Sequence, residues 1–153
     1  YHLADISTPN LMMPYRYRNA TNTYTPFYQY GYPDYPSGAL RTSARSLSRW
    51  LSRFTNFGAL DRTRILKRAT VEEIRRPQIP GNWWQGLIWY YRAHHGEQLI
   101  GHNGSDYGVN TSMFVESQGR HPRGVIMLGN RYFYSGDAWH AKVDIEDRLF
   151  TGA

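Results

Sequence analysis

The spacing of apolar residues changes period near Gly81, and that change limits the chain to a fold that joins helices to a sheet. Before it, Leu47, Trp50, Leu51 and Phe54 fall at i, i+3, i+4 and i+7. That is the stripe of an amphipathic helix, and Thr42 or Ser43 can cap its start. Asn56 to Gly58 breaks the pattern. Thr70-Val71-Glu72-Glu73 reads as a capping box opening a short helix that Pro77 ends. Beyond Gly81, short apolar or alternating segments cover 85–92, 98–101, 110–116 and 124–128, separated by Gly, Asn, Asp and Pro. His94-His95-Gly96-Glu97 reads as a hairpin turn, which makes the sheet antiparallel there.

A last helix is predicted from Asp137 as N-cap, with Ala138, Ala141, Ile145 and Leu149 as its apolar stripe. Asp144, Glu146 and Asp147 sit at the end the helix dipole disfavours, so packing must hold it. The chain therefore divides into a Tyr- and Pro-rich region over 1–41, a helical region over 42–77, antiparallel strands over 83–130 and a C-terminal helix over 137–150. The class is α+β, an antiparallel sheet with flanking helices. The first region carries eight tyrosines up to Pro36, too much apolar area for a linker, and is read as an ordered excursion.

Charge narrows the partners. The net charge is +6, and nearly all of it is Arg, since only Lys67 and Lys142 are lysines. The arginines are scattered and no run reaches the length of a binding tail, so no nucleic-acid partner is expected. Arg41, Arg45, Arg49 and Arg53 stand four apart, repel one another, and must face solvent or an acidic group. A basic slope of this kind also draws carboxylate-bearing substrates. With no cysteine there is no disulfide, no thiolate metal site and no Cys nucleophile. No stretch has the length of a membrane span, and no signal-peptide pattern opens the chain. Tyr1-His2-Leu3-Ala4-Asp5 reads as the interior of a longer protein.

Four segments carry a resemblance. Tyr35-Pro36-Ser37-Gly38-Ala39-Leu40-Arg41-Thr42-Ser43-Ala44 is a small-residue turn before the helix that runs through Leu51. Gln85-Gly86-Leu87-Ile88-Trp89 leads to Gly101-His102-Asn103-Gly104-Ser105-Asp106-Tyr107-Gly108. A strand through Phe114 and Val115 follows, then Arg123-Gly124-Val125-Ile126-Met127-Leu128-Gly129-Asn130. In order and spacing this resembles the C-terminal portion of serine β-lactamase-related proteins: class C β-lactamases, penicillin-binding carboxypeptidases and kindred esterases. The resemblance implies the C-terminal part of a β-lactamase/transpeptidase-like fold, and a substrate that is a small molecule or peptide bearing an amide, ester or D-amino-acid linkage. It also implies a periplasmic or extracellular location.

Under it, His102, Asn103, Gly104 and Ser105 form one wall of the site, with the Ser105 backbone N–H as an oxyanion donor. The chemistry is intelligible on its own terms, because acyl transfer needs fixed N–H donors and a donor or cation near the substrate. His102 can present a ring donor. Gly104 keeps a side chain off the edge that substrate approaches. Asn103 stands where the family has a hydroxyl residue.

The family's nucleophile is the Ser of Ser-x-x-Lys, and here Arg64 and Trp139 stand three before the lysines. The chain alone is expected to be inert, requiring a missing N-terminal portion or a partner chain. The alternative is a non-catalytic binding or interaction domain, self-associating as a homodimer through open sheet edges. Ser37 and Ser105 have no evident base, and Tyr17-Arg18-Asn19, though it matches the family's Tyr-x-Asn, lies in a Pro- and Tyr-rich context. Adjacent histidines point apart along a strand, so His94, His95 and Glu97 are read as a polar hairpin tip, and no metal or cofactor is expected.

Overall fold

The computed structural model describes residue 4, residues 8–31, 33, 37–132 and 136–152. Among them, strands β1 (Tyr15–Arg18) and β2 (Thr23–Pro26) form an antiparallel ribbon. Helix α1 (Ala44–Thr55) follows, then a small hairpin of β3 (Ala59–Leu60) and β4 (Thr63–Arg64), and helix α2 (Arg68–Arg75). The main sheet has the order β5 (Tyr90–His94), β6 (Glu97–Asp106), β7 (Val109–Glu116) and β8 (Gly124–Gly129), antiparallel throughout, and helix α3 (Asp137–Thr151) closes the chain. The class is α+β, as the change of period requires.

Because side chains alternate across a strand, the register fixes two faces. Ile100, Val115 and Gly124 share one, with α1 against it: a Cβ on Gly124 would meet Leu51 Cδ2 at 2.7 Å. Here Leu51, Phe54, Val71, Trp89, Ile100 and Val115 are buried together, and the Phe54 and Trp89 rings stack at 4.1 Å. Leu99, Phe114 and Val125 share the other face, where they bury Phe150 of α3. Each such apolar side chain contributes about 1.5–3 kcal/mol by leaving water.

The helix ends explain themselves locally. Ser43 caps α1, its hydroxyl accepting from the Ser46 N–H at 3.1 Å. Helix α2 begins three residues earlier than the capping box implies, with Lys67 at the N-cap and no side-chain cap. Thr70 is already in the first turn, and the Arg68–Glu72 pair at 2.8 Å supports that turn instead. For α3 the N-cap is Gly136 at φ 63, ψ −148, a conformation open to glycine alone, and Asp137 is the first helical residue.

Two further expectations are corrected. Residues 85–89 are not a strand: Gln85 bridges back to Tyr90, and Ile88 sits at φ 69. The apolar stripe predicted for α3 does not face the sheet. Lys142, Glu146 and Phe150 are buried, while Ile145 is 48% and Leu149 54% exposed. The reason lies across the interface, where the sheet presents Ser112 and Arg92, polar groups that a carboxylate satisfies and an aliphatic stripe cannot.

The 1–41 region holds an unforeseen ribbon, with Tyr17 and Tyr24 packed at 5.0 Å under the Arg131 guanidinium. Calls on Tyr35 and Pro36 lie outside the described residues. Of the four-apart arginines, Arg45 and Arg49 are exposed, as their mutual repulsion requires, and Arg49 reaches Asp61 at 3.6 Å.

Candidate functional site

Strand β5 pairs with β6 only from Glu97 to Gly101. On that side, no described strand pairs with residues 102–106, so the backbone of the His102–Ser105 segment forms a sheet edge. On the other side β6 is held by β7, with His102 opposite Met113, Asn103 opposite Ser112, Gly104 opposite Thr111 and Ser105 opposite Asn110.

The alternation separates the four residues. His102 and Gly104 lie on the face covered by α1, Asn103 and Ser105 on the face covered by α3. What they share is the edge itself. His102 is exposed, its Nδ1 bonded to the Asn103 carbonyl and its ring edge-on to Tyr90 at 5.6 Å. Asn103 donates from Nδ2 to the Tyr90 hydroxyl at 2.5 Å, and its Oδ1 is buried with no hydrogen-bond partner among the described residues. Ser105 is exposed. Gly104 has a packing reason, since a Cβ there would meet Thr111 Oγ1 at 2.5 Å.

Neighbours that sequence reasoning missed stand at both ends of this edge. Tyr90 lies beside Asn103. Burial pushes its phenol up, helped by the Glu146 charge and opposed by Arg92 and the Asn103 bond. At the far end Tyr30 donates to the Tyr107 carbonyl at 3.1 Å, and the Arg41 guanidinium donates to the Tyr30 carbonyl at 2.5 Å. Burial, then the charge of Asp106 and a hydrogen bond to it, push the Tyr30 phenol up to about 12 against the pull of Arg41. Tyr30 is therefore a neutral donor near pH 7, not a base. The abundance of tyrosine in 1–41 was the available signal; that Tyr30 meets β6 is a tertiary fact no local pattern carries.

Two grooves elsewhere include no residue of 101–105. One, about 490 Å³, is lined by Phe57, Arg75, Tyr91 and Ser117 among others. The second lies beside α1, between Leu51 and Ile126. Neither converges polar groups on an enclosed centre, so the edge remains the stronger candidate.

The hairpin tip differs from expectation. His95 at φ 46 and Gly96 at φ 80 make a two-residue turn, and this backbone swings the His95 ring to the side of His94. Both rings reach Asp147 of α3, with His94 Nε2 at 3.0 Å and His95 Nε2 at 2.5 Å from its Oδ1. Asp147, rather than Glu97, completes the group.

No helix among the described residues is long and apolar enough to cross a membrane. Comparison with known protein families, with characterised proteins and with solved structures gives no match to this chain.

Proposed function

We propose that the chain is the C-terminal part of a β-lactamase-like serine hydrolase, with residues 101–105 as the wall that receives the substrate's acyl group. One observation carries the reading: β6 loses its β5 partner at Gly101, so the His-Asn-Gly-Ser segment lies on an open strand edge. Backbone N–H groups on such an edge are held by the pairing with β7 and need no reorganisation to meet a developing oxyanion.

The reaction is transfer of an acyl group to water through a serine ester, from an amide, an ester or a D-amino-acid peptide. The Ser105 N–H stabilises the tetrahedral oxyanion. His102, exposed at the edge, turns its Nδ1–H from the Asn103 carbonyl to the substrate carboxylate or ester oxygen. Asn103, where the family has a hydroxyl, works with Tyr90 to shape the pocket. Nucleophile and base come from outside these residues, so the isolated chain is inert, because electrostatic support without an attacking group gives little turnover. A periplasmic or extracellular setting follows from the same reading.

The test is covalent labelling. The 153-residue chain and its extended reading frame are each treated with a fluorescent fluorophosphonate and a fluorescent penicillin, and adducts are located by peptide mass spectrometry. The reading predicts no adduct on the isolated chain and one on a Ser-x-x-Lys serine of the longer protein. An adduct on Ser37 or Ser105, or no adduct on either form, overturns it.

A second reading, a non-catalytic interaction domain that pairs with another copy, has its own support. Helix α3 exposes Trp139 (41%), Ile145 and Leu149, and the sheet keeps open edges. Gel filtration with light scattering across a hundredfold range of concentration separates the two: a persistent monomer removes the second reading.

A further inference from the structure

We infer that His94, His95 and Asp147 form a zinc site that clamps the tip of the β5–β6 hairpin to the last turns of α3. Three donor atoms of suitable type, two imidazole nitrogens and one carboxylate oxygen, lie within 4.8 Å of one another. Zinc binds such nitrogens and oxygens at about 2.0–2.2 Å in a tetrahedron, which places neighbouring ligand atoms about 3.3 Å apart. The Nε2–Oδ1 separations are 3.0 and 2.5 Å, the two imidazole nitrogens lie within 4.8 Å of each other, and rotations of the Asp147 and His95 side chains bring all three to that spacing.

The backbone arranges this convergence. His94 is the last residue of β5 and faces α3, its ring against Phe150 at 5.1 Å. His95 belongs on the opposite side if the strand continues, but its positive φ turns the ring back, edge-on to His94 at 4.7 Å. Asp147 stands one turn before Thr151 on α3, and the neighbouring Arg148 is engaged with Asp144 at 3.0 Å.

Two imidazole nitrogens converge on one carboxylate oxygen, a mixed nitrogen and oxygen donor set. A divalent cation suits two neutral rings and one carboxylate. Three protein ligands leave the fourth zinc position open, and it faces solvent, since the His95 side chain is 65% exposed. The site lies at the hairpin tip, four residues along β6 from Gly101, and is independent of the hydrolase reading.

Chelator-treated chain is titrated with ZnCl2 by calorimetry, and with CoCl2 while following visible absorption, for which tetrahedral Co(II) gives intense bands. Wild type is expected to take up one equivalent of Zn2+ and to melt at higher temperature when saturated. His95→Ala and Asp147→Asn, both at sites with exposed surface, are each expected to weaken binding at least tenfold and to lose the thermal shift. His140→Ala leaves both unchanged. Circular dichroism of the metal-free variants confirms that they are folded, and His94→Gln provides a third arm if either is not. Absence of a one-equivalent isotherm in wild type overturns the inference. So does undiminished binding in any folded variant of the three residues.

Discussion

The Lys142 ammonium meets the Glu146 carboxylate at 2.6 Å with both side chains almost wholly buried between α3 and the sheet. Ser112 donates its hydroxyl to the same carboxylate, and Arg92 reaches the other oxygen at 3.3 Å. This network, and not the aliphatic stripe, orients α3. A buried pair is a weak source of net stability, but removing one partner strands the other charge. Lys142→Met is therefore expected to lose about 3–5 kcal/mol in urea unfolding. The double substitution Lys142→Met with Glu146→Leu should lose less than Lys142→Met alone, although Ser112 and Arg92 then go unmet.

The same carboxylate sets an acid limit. Burial alone would raise the Glu146 carboxyl, but bonds from Lys142 and Ser112 and the charges of Lys142 and Arg92 outweigh it and hold it below its usual 4.5. A group lowered on folding contributes stability above its unfolded value and loses that contribution as pH falls through the folded one. Urea midpoints should accordingly be level above about pH 4.5 and fall below it. Glu146→Gln should be less stable at pH 7 yet fall less steeply in acid.

Two glycines of β6 differ in kind. A Cβ at Gly101 would lie 2.0 Å from the Met113 carbonyl oxygen and 2.6 Å from Phe114 Cδ1, a clash with cross-strand backbone and packed core. At Gly104 it would meet only the Thr111 side chain. Gly101→Ala is expected to cost more than about 2 kcal/mol, a core-overpacking penalty. Gly104→Ala should cost clearly less, because Thr111 can change rotamer. Thermal melts of the two variants check the order.

Ser43 is the side chain that closes the start of α1, and α1 carries Leu51 and Phe54 into the core. Ser43→Ala should cost about 1 kcal/mol, and Ser43→Asp should recover it. Chemical denaturation monitored through Trp50 and Trp89 fluorescence measures both.

What the sequence revealed follows from how local each signal is. The 3.6-residue stripe of Leu47 to Phe54 and the alternation of β7 are local patterns, and the elements appear where those patterns lie. The face of α3 could not be read locally. Its choice depends on Ser112 and Arg92, which are distant in sequence, and the polar contact won over the aliphatic stripe. The division of residues 102–105 between two faces needed the register with β7. Convergence of His94 and His95 was hidden because the rule that neighbours point apart assumes extended backbone, and His95 is not extended.

The most direct test of the proposed wall is a two-dimensional amide NMR titration of the chain with benzylpenicillin and with a D-alanyl-D-alanine peptide. The account predicts saturable shifts at the amides of His102 to Ser105 and at Tyr90, lost in His102→Ala. Shifts centred instead on the groove of Phe57, Arg75 and Tyr91, or no shifts at any residue of 101–105, would contradict it.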